Sequence, residues 1–333
     1  MAFTVDEFEL ISAITQTLRK NQPRQPQQPD SRPAPALTLD IDTGDDAAAL
    51  SVTKGCTIVW SVDAFTEGVH FRRQWVIPLQ LGHRVVAASA ADVVAMGATP
   101  NFALITLACP ADVNQEWVLA LAEGLGSEAS ALGMQIVGGD VSVASEIHIT
   151  SSVLGTVPAG MKPVTRAGAK AGDTVAIRGP LGLAAAGLAV NESDLPQAAH
   201  QALRDAYAYP KLEKNTGVNA AAAGATSMID VSDGLIADAG HIANASNVTI
   251  DIATRQIHLS PNLVQAAAQL GLDATALALT GGDDHAIVAT FPEGASLPEG
   301  FEVIGSVRES SNGGKVLVDG APFTQIGGYR HFS

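Results

Sequence analysis

Apolar residues recur at helical spacing near the start of the chain. Val5, Phe8, Ile11, Ile14 and Leu18 fall on one side with Leu10 beside them, which predicts an amphipathic helix over Val5–Lys20. The pattern stops there. Residues 21–35, NQPRQPQQPDSRPAP, carry five prolines and several glutamines, a composition that builds neither a core nor a regular ladder, so a mobile loop is expected over 21–36. Short β-type runs follow at LTLDI (37–41) and CTIVWSVDAF (56–65). Then come a helix-like block from Pro78 to Met96, a strand NFALITLAC (101–109), a helix around Gln115 to Leu132, and strands MQIVGG (134–139) and EIHITSSVLGTV (146–157).

A stretch rich in Gly, Ala and Pro, PAGMKPVTRAGAKAGD, marks a boundary near residue 158. The second half repeats the theme. Strand DTVAIRG, Ala-rich helices between Leu183 and Ala223, strand TSMIDVS, helix Leu235–Asn244, strand VTIDI, one more helix, and strands HAIVATF, FEVIGSV and KVLVDG follow in turn. The pattern predicts an α/β protein with mixed sheets in two domains, 1–157 and 158–333. Two GDD elements, Gly44-Asp45-Asp46 and Gly282-Asp283-Asp284, lie one in each half.

Composition narrows the function. With 47 % hydrophobic and 16 % charged residues over 333 positions, the chain has ample material for packed cores. The net charge of −15 argues against a nucleic-acid or anionic-membrane surface, which needs clustered Lys and Arg, and suits a protein that recruits cations. Cys56 and Cys109 are too few for a disulfide framework, and each lies in an apolar run that predicts a core thiol. The acidic start MAFTVDEFEL lacks a secretion signal, so the reduced cytosol is the expected compartment. The longest uncharged stretch, Val93–Ala111, is broken by Gly97, Pro100 and Asn101 and reads as helix end, turn and strand, not a membrane span.

The common phosphate-binding motifs are absent. There is no G-x-x-x-x-G-K-[ST], and the single G-x-G-x-x-A, at Gly124, Gly126 and Ala129, lies inside a helical pattern where a dinucleotide loop cannot form. The protein-kinase signature, a G-x-S-x-G elbow and an H-E-x-x-H helix are missing too. What recurs is aspartate at the ends of apolar β-type runs: Asp63, Asp140, and Asp230 with Asp233 three residues on, joined by Asp46 and by Asp92 in the helical ASAADVVAMG. A carboxylate among Ala, Val and Met costs several kcal/mol unless compensated. Two of them 4 Å apart repel by about 4 kcal/mol at an effective dielectric of 20. Singly, each Asp suits a turn or a helix cap. As a convergent set they need a hard cation, Mg²⁺ before Zn²⁺, and Mg²⁺ takes its remaining ligands from substrate phosphates.

Seven motifs in order carry a family resemblance. They are Thr43-Gly44-Asp45-Asp46-Ala47; Ser61-Val62-Asp63 with Glu67-Gly68-Val69-His70-Phe71; Ser89-Ala90-Ala91-Asp92 with Ala95-Met96-Gly97-Ala98; Gly138-Gly139-Asp140; Thr165-Arg166-Ala167-Gly168-Ala169-Lys170-Ala171-Gly172-Asp173; Ile229-Asp230-Val231-Ser232-Asp233-Gly234-Leu235; and Gly281-Gly282-Asp283-Asp284. From about Phe8 to Phe332 the chain resembles the thiamine-monophosphate kinases, in the superfamily of ATP-dependent enzymes shared with aminoimidazole ribonucleotide synthetase and selenophosphate synthetase. The resemblance implies two α/β domains, a homodimer whose N-terminal sheets pair across the two-fold axis, and an active site in the cleft near that interface. It also implies the reaction of ATP with thiamine phosphate to give ADP and thiamine diphosphate. By position, Asp46, Asp63, Asp92, Asp140, Asp230 and Asp233 look like ligands of several Mg²⁺ ions bridging the phosphates, with Ser61 and the backbone oxygen of Val62 as further ligands. Gly139, Asp140, Arg166 and Ser232 resemble the ATP contacts, and His70, Asp283 and Tyr329 the thiamine-phosphate contacts. No residue is expected to act as acid or base, because the acceptor phosphate oxygen is already ionised.

The chain departs from the family pattern at two places. Val62 stands where a hydroxyl residue is usual, and G-G-E-D-Y-E-L becomes Gly281-Gly282-Asp283-Asp284-His285-Ala286-Ile287, with a shorter acidic arm toward the thiamine portion. Two other readings compete with the kinase. One is a superfamily member acting on a different small molecule, against which stand the E-G-V-H-F segment and the lack of a reactive Cys in the N-terminal loop. The other is a catalytically silent Mg²⁺-nucleotide binding protein, which would bind ATP without turnover.

Overall fold

The computed structural model describes residues 7–21, 36–43 and 47–323, in two compact units. One comprises the residues up to Val93 together with Ala98–Lys162; the other comprises Val94–Gly97 and the chain from Pro163 onward. Residues 22–35 of the Pro/Gln segment, Asp46 of the first GDD element and Tyr329 lie outside the described residues.

The first unit opens with α1 (Glu7–Asn21) and a hairpin of β1 (Leu37–Ile41) and β2 (Ala49–Val52). It continues with β3 (Thr57–Thr66), α2 (Pro78–Ala95), β4 (Thr99–Cys109), α3 (Gln115–Leu132), β5 (Gln135–Val143) and β6 (His148–Val157). The sheet order is β3-β6-β4-β5, antiparallel except for the β4/β5 pair. Along β6 every second residue from Ile149 to Val153 is buried, so one face carries the core and the other does not. The glycines of the G-x-G-x-x-A element serve helix packing. A Cβ on Gly124 would lie 2.0 Å from the Leu79 carbonyl oxygen, and one on Gly126 would lie 3.5 Å from Leu18 Cα of α1.

The second unit contains β7 (Thr174–Arg178), α4 (Leu183–Asn191), α5 (Gln201–Ala208), α6 (Thr216–Ala222), β8 (Ser227–Asp230), α7 (Leu235–Ser246) and β9 (Val248–Ile252). After these come α8 (Pro261–Leu270), α9 (Ala274–Thr280), β10 (Ile287–Phe291), β11 (Glu302–Glu309), β12 (Lys315–Val318) and β13 (Ala321–Pro322). Its sheet runs β13-β12-β9-β11-β7-β10-β8. Strands β8, β9 and β10 are buried at every position, the polar Ser227, Asp230, Thr249, Asp251 and Thr290 included. The single helix expected before β10 is two helices. Gly271, in the left-handed region at φ 68°, ends α8, and the Asp273 side chain accepts the Thr275 amide to start α9.

Cys109 is a core thiol, but Cys56 is only half-buried in the turn before β3, where the apolar run has not yet entered the sheet. Among the described residues no single helix is long and apolar enough to cross a membrane.

Candidate active site

In the first unit the pleat of β3 sends alternate residues to opposite faces. Ser61 and Asp63 share the inner face with buried Phe65, while Trp60 and Val62 point outward, 69 % and 62 % exposed. Any contact of Val62 with a cation therefore runs through its main chain. Asp92 lies on α2, and the Ser61 hydroxyl donates to its Oδ2 at 2.5 Å. The Thr66 amide donates to Nδ1 of His70 at 3.0 Å, which puts the proton of the neutral ring on Nε2 and makes that nitrogen a donor.

Gly139 and Asp140 lie on β5, across the sheet from β3. Register puts Asp63 in one row with Ser151, Ile105 and Gly139, and Asp140 in the next with Thr106, Thr150 and Ala64. Successive rows face opposite ways, so the Asp140 carboxylate leaves on the outer face, and three strand spacings put it roughly 14 Å from Asp63. One cation does not bridge both within a chain. Gly139 is needed where it is, because a Cβ there would lie 1.8 Å from the Ile105 carbonyl oxygen. A mainly apolar cavity of about 790 Å³, walled by Leu18, Leu121 and Leu125, reaches Gly139 and Asp140.

In the second unit β8 is an edge strand that ends at Asp230, 4 % exposed. The chain turns through Ser232, Asp233 and Gly234 into α7. Gly234 has φ 121°, and a Cβ on it would lie 2.6 Å from the Thr280 carbonyl oxygen. Asp238, inside the helix, holds this turn: its Oδ2 accepts the amides of Ser232, Asp233 and Gly234, each at 3.0 Å. Burial, with the neighbouring charges of Asp230 and Asp233, pushes the Asp238 carboxyl up to about 7, against the pull of its amide donors.

The Gly281–Ala286 segment is stitched to the same turn. The Asp283 amide donates to the Ser232 carbonyl at 2.9 Å, the His285 amide to Val231 at 2.9 Å, and the Val231 amide to Ala286 at 2.8 Å. The structure therefore brings Asp230, Ser232, Asp233 and Asp283 together. It sets the main chain of Arg166 elsewhere. Ser246, the last residue of α7, donates to the Arg166 carbonyl and accepts the amides of Gly168 and Ala169. Arg166 thus starts from the opposite end of α7 to Ser232, about 17 Å along the helix axis.

The sequence reading did not single out Asp238, His241 or Ser246. An acidic residue in the first turn of a helix was the available signal for Asp238. Asp233, Asp238 and His241 each bring one donor atom to within 4.8 Å of the others. Apart from the His241 ring, the candidate donors in both units are oxygens, the donor set of Mg²⁺ or Mn²⁺. Asp230, Asp233 and Asp238 repel one another in a buried setting, and a bound cation would relieve that cost.

Known proteins resemble the chain over almost its whole length. Residues 44–157 match the family described as AIR synthase related protein, N-terminal domain. A thiamine-monophosphate kinase of Mycobacterium tuberculosis is 38 % identical over 302 residues, covering 90 % of this chain and 88 % of that one. The thiamine-monophosphate kinase of Escherichia coli K12 is 31 % identical over 89 % of this chain and 93 % of its own. A solved structure of AaThiL complexed with AMPPCP and TMP superposes with a TM-score of 0.77 at 29 % identity, covering 99 % of this chain and all of that one. With a relative of that identity aligned over nine-tenths of its residues, the chain belongs to the thiamine-monophosphate kinase family.

Proposed function

We propose that this protein transfers the terminal phosphoryl group of ATP to thiamine monophosphate, giving thiamine diphosphate and ADP. Family membership supports the reaction. The observation in the structure that carries the reading is the turn after β8, where Asp230, Ser232, Asp233 and Asp283 meet. The carboxylates of Asp46, Asp63, Asp92, Asp140, Asp230 and Asp233, with the Ser61 hydroxyl and the Val62 main-chain oxygen, are the proposed ligands of several Mg²⁺ ions. Bound there, Mg²⁺ would neutralise phosphate charge and orient the reacting oxygens.

The chain's own residues have two further tasks. Gly139, Asp140, Arg166 and Ser232 hold ATP, with Arg166 offering a planar fork to phosphate oxygens. His70, Asp283 and Tyr329 hold thiamine monophosphate, His70 donating through Nε2; Asp46 rests on its motif alone and Tyr329 on its position in the family resemblance. No side chain needs to remove a proton, because the attacking phosphate oxygen is ionised at neutral pH, so positioning and charge neutralisation do the catalysis. The purified chain with ATP, Mg²⁺ and thiamine monophosphate is expected to form thiamine diphosphate and ADP one for one. ATP consumed with no thiamine diphosphate would overturn the reading. Arg166→Ala is expected to raise the KM for ATP more than that for thiamine monophosphate, and the reverse ranking in steady-state kinetics would remove Arg166 from the ATP site.

We also propose a homodimer through the outer face of the first unit's sheet. Ile58, Trp60, Val62 and Leu104 expose their apolar side chains there, a face that water solvates poorly and a second copy would cover. Asp140 shares this face, so in a dimer it serves next to the second copy instead of beside Asp63 of its own chain. Trp60→Glu combined with Val62→Glu is expected to halve the molar mass measured by light scattering. An unchanged mass would exclude this face.

A further inference from the structure

We infer that His285 is a positioning residue for Asp230, fixing which carboxylate oxygen that residue offers to a divalent cation; the inference rests on reading Asp230 as a cation ligand. Nδ1 of His285 lies 3.3 Å from Oδ2 of Asp230, and both side chains are only 6 % exposed. Beside a buried carboxylate the ring keeps its proton on Nδ1 and donates it, so Oδ2 is engaged and ligation falls to Oδ1. At the place of Tyr in the G-G-E-D-Y-E-L pattern this chain carries His285, so the contact depends on one of its departures from that pattern.

The main chain is held in an uncommon shape at this contact. His285 has φ 50° and Asp283 φ 63°, a left-handed conformation that side-chain-bearing residues adopt only where their surroundings determine it. Those surroundings are visible on both sides. The amides of Asp283 and His285 are tied to Ser232 and Val231, and Ile287 pairs with Asp230 across β10 and β8. Between them the Asp284 carboxylate turns the other way and accepts the amides of Gly182 and Ala184. The main chain on both sides of His285 is thus fixed beside Asp230, and burial of the ring, 6 % exposed, limits its other rotamers. A ligand whose second oxygen is held in this way loses a rotational choice before the cation arrives, the usual role of outer partners at metal sites.

The test uses the full chain and Mn²⁺ as the probe, its binding read by electron paramagnetic resonance, with the melting temperature as the fold control. His285→Phe is expected to weaken Mn²⁺ binding about 10- to 100-fold. His285→Asn, which returns an N–H near the Nδ1 position, is expected to restore most of it, whereas His285→Gln, with its amide nearer Nε2, is not. Asp230→Asn is expected to weaken binding at least as much as His285→Phe. Wild-type Mn²⁺ affinity in His285→Phe, with affinity lost in Asp230→Asn, would overturn the inference and leave Asp230 a ligand. Wild-type affinity in Asp230→Asn would overturn the ligand reading itself. Should His285→Phe melt early, equal Mn²⁺ affinity in the Asn and Gln variants would overturn the inference.

Discussion

Asp63→Asn is expected to lower turnover by at least about 10²-fold while leaving the melting temperature close to that of the wild type. The asparagine side chain has the same size and keeps one oxygen acceptor, and Asp63 is only half-buried on β3, so the fold loses little. What it loses is one unit of negative charge on the sheet face where the Ser61 hydroxyl meets Asp92. The reaction brings two polyanions into contact, and every lost anionic ligand lowers cation occupancy at the phosphates. The measurement is kcat at saturating and at limiting Mg²⁺. Partial recovery at high Mg²⁺ is expected, and wild-type turnover at every concentration would remove Asp63 from the site.

The largest expected loss of stability comes from Asp284→Ala. This carboxylate is 5 % exposed and accepts the amides of Gly182 at 2.5 Å and Ala184 at 3.0 Å, joining the site segment to the start of α4. Alanine leaves both buried amides without that acceptor, at about 1–3 kcal/mol each. Burial pushes the Asp284 carboxyl up to about 7, opposed by the two amides and by His285. A folded-state value above the unfolded 3.8 means that the native protein holds the proton more tightly. This group's contribution to stability is therefore greatest below pH 3.8, falls as pH rises to about 7, and is flat above. Asp284→Ala lacks the group, so the stability gap between wild type and variant is expected to be wider at pH 5.5 than at pH 8. Urea unfolding at the two values checks this, and a gap that widens with pH would contradict it.

Much of the fold was legible because period-2 and period-3.6 patterns survive into the structure: β9, α3 and the inward pair Ser61/Asp63 follow directly from spacing. β2 was missed because Ala49–Val52 is four residues long and gains its identity by pairing with β1. The side on which Asp140 emerges was not legible. β5 carries one extra residue, Val137, where the partners of Ala103 and Leu104 jump from Ile136 to Gly138, and this single bulge turns every later side chain of the strand to the other face. The local partners of the site residues were likewise hidden. Asp238 reaches three amides because α7 begins at Leu235, just after the Ser232–Gly234 turn, and His285 reaches Asp230 because β10 pairs with β8; neither contact is written in local spacing.

The measurement that tests the central claim most directly is ADP release by the purified protein with ATP and Mg²⁺, comparing thiamine monophosphate, free thiamine and no acceptor, each repeated with excess EDTA. A cation-dependent kinase with a phosphate acceptor releases ADP only with thiamine monophosphate and only without EDTA. Mg²⁺-ATP binding with no acceptor-dependent ADP would contradict the account, and would leave a nucleotide-binding protein whose substrate is not thiamine monophosphate.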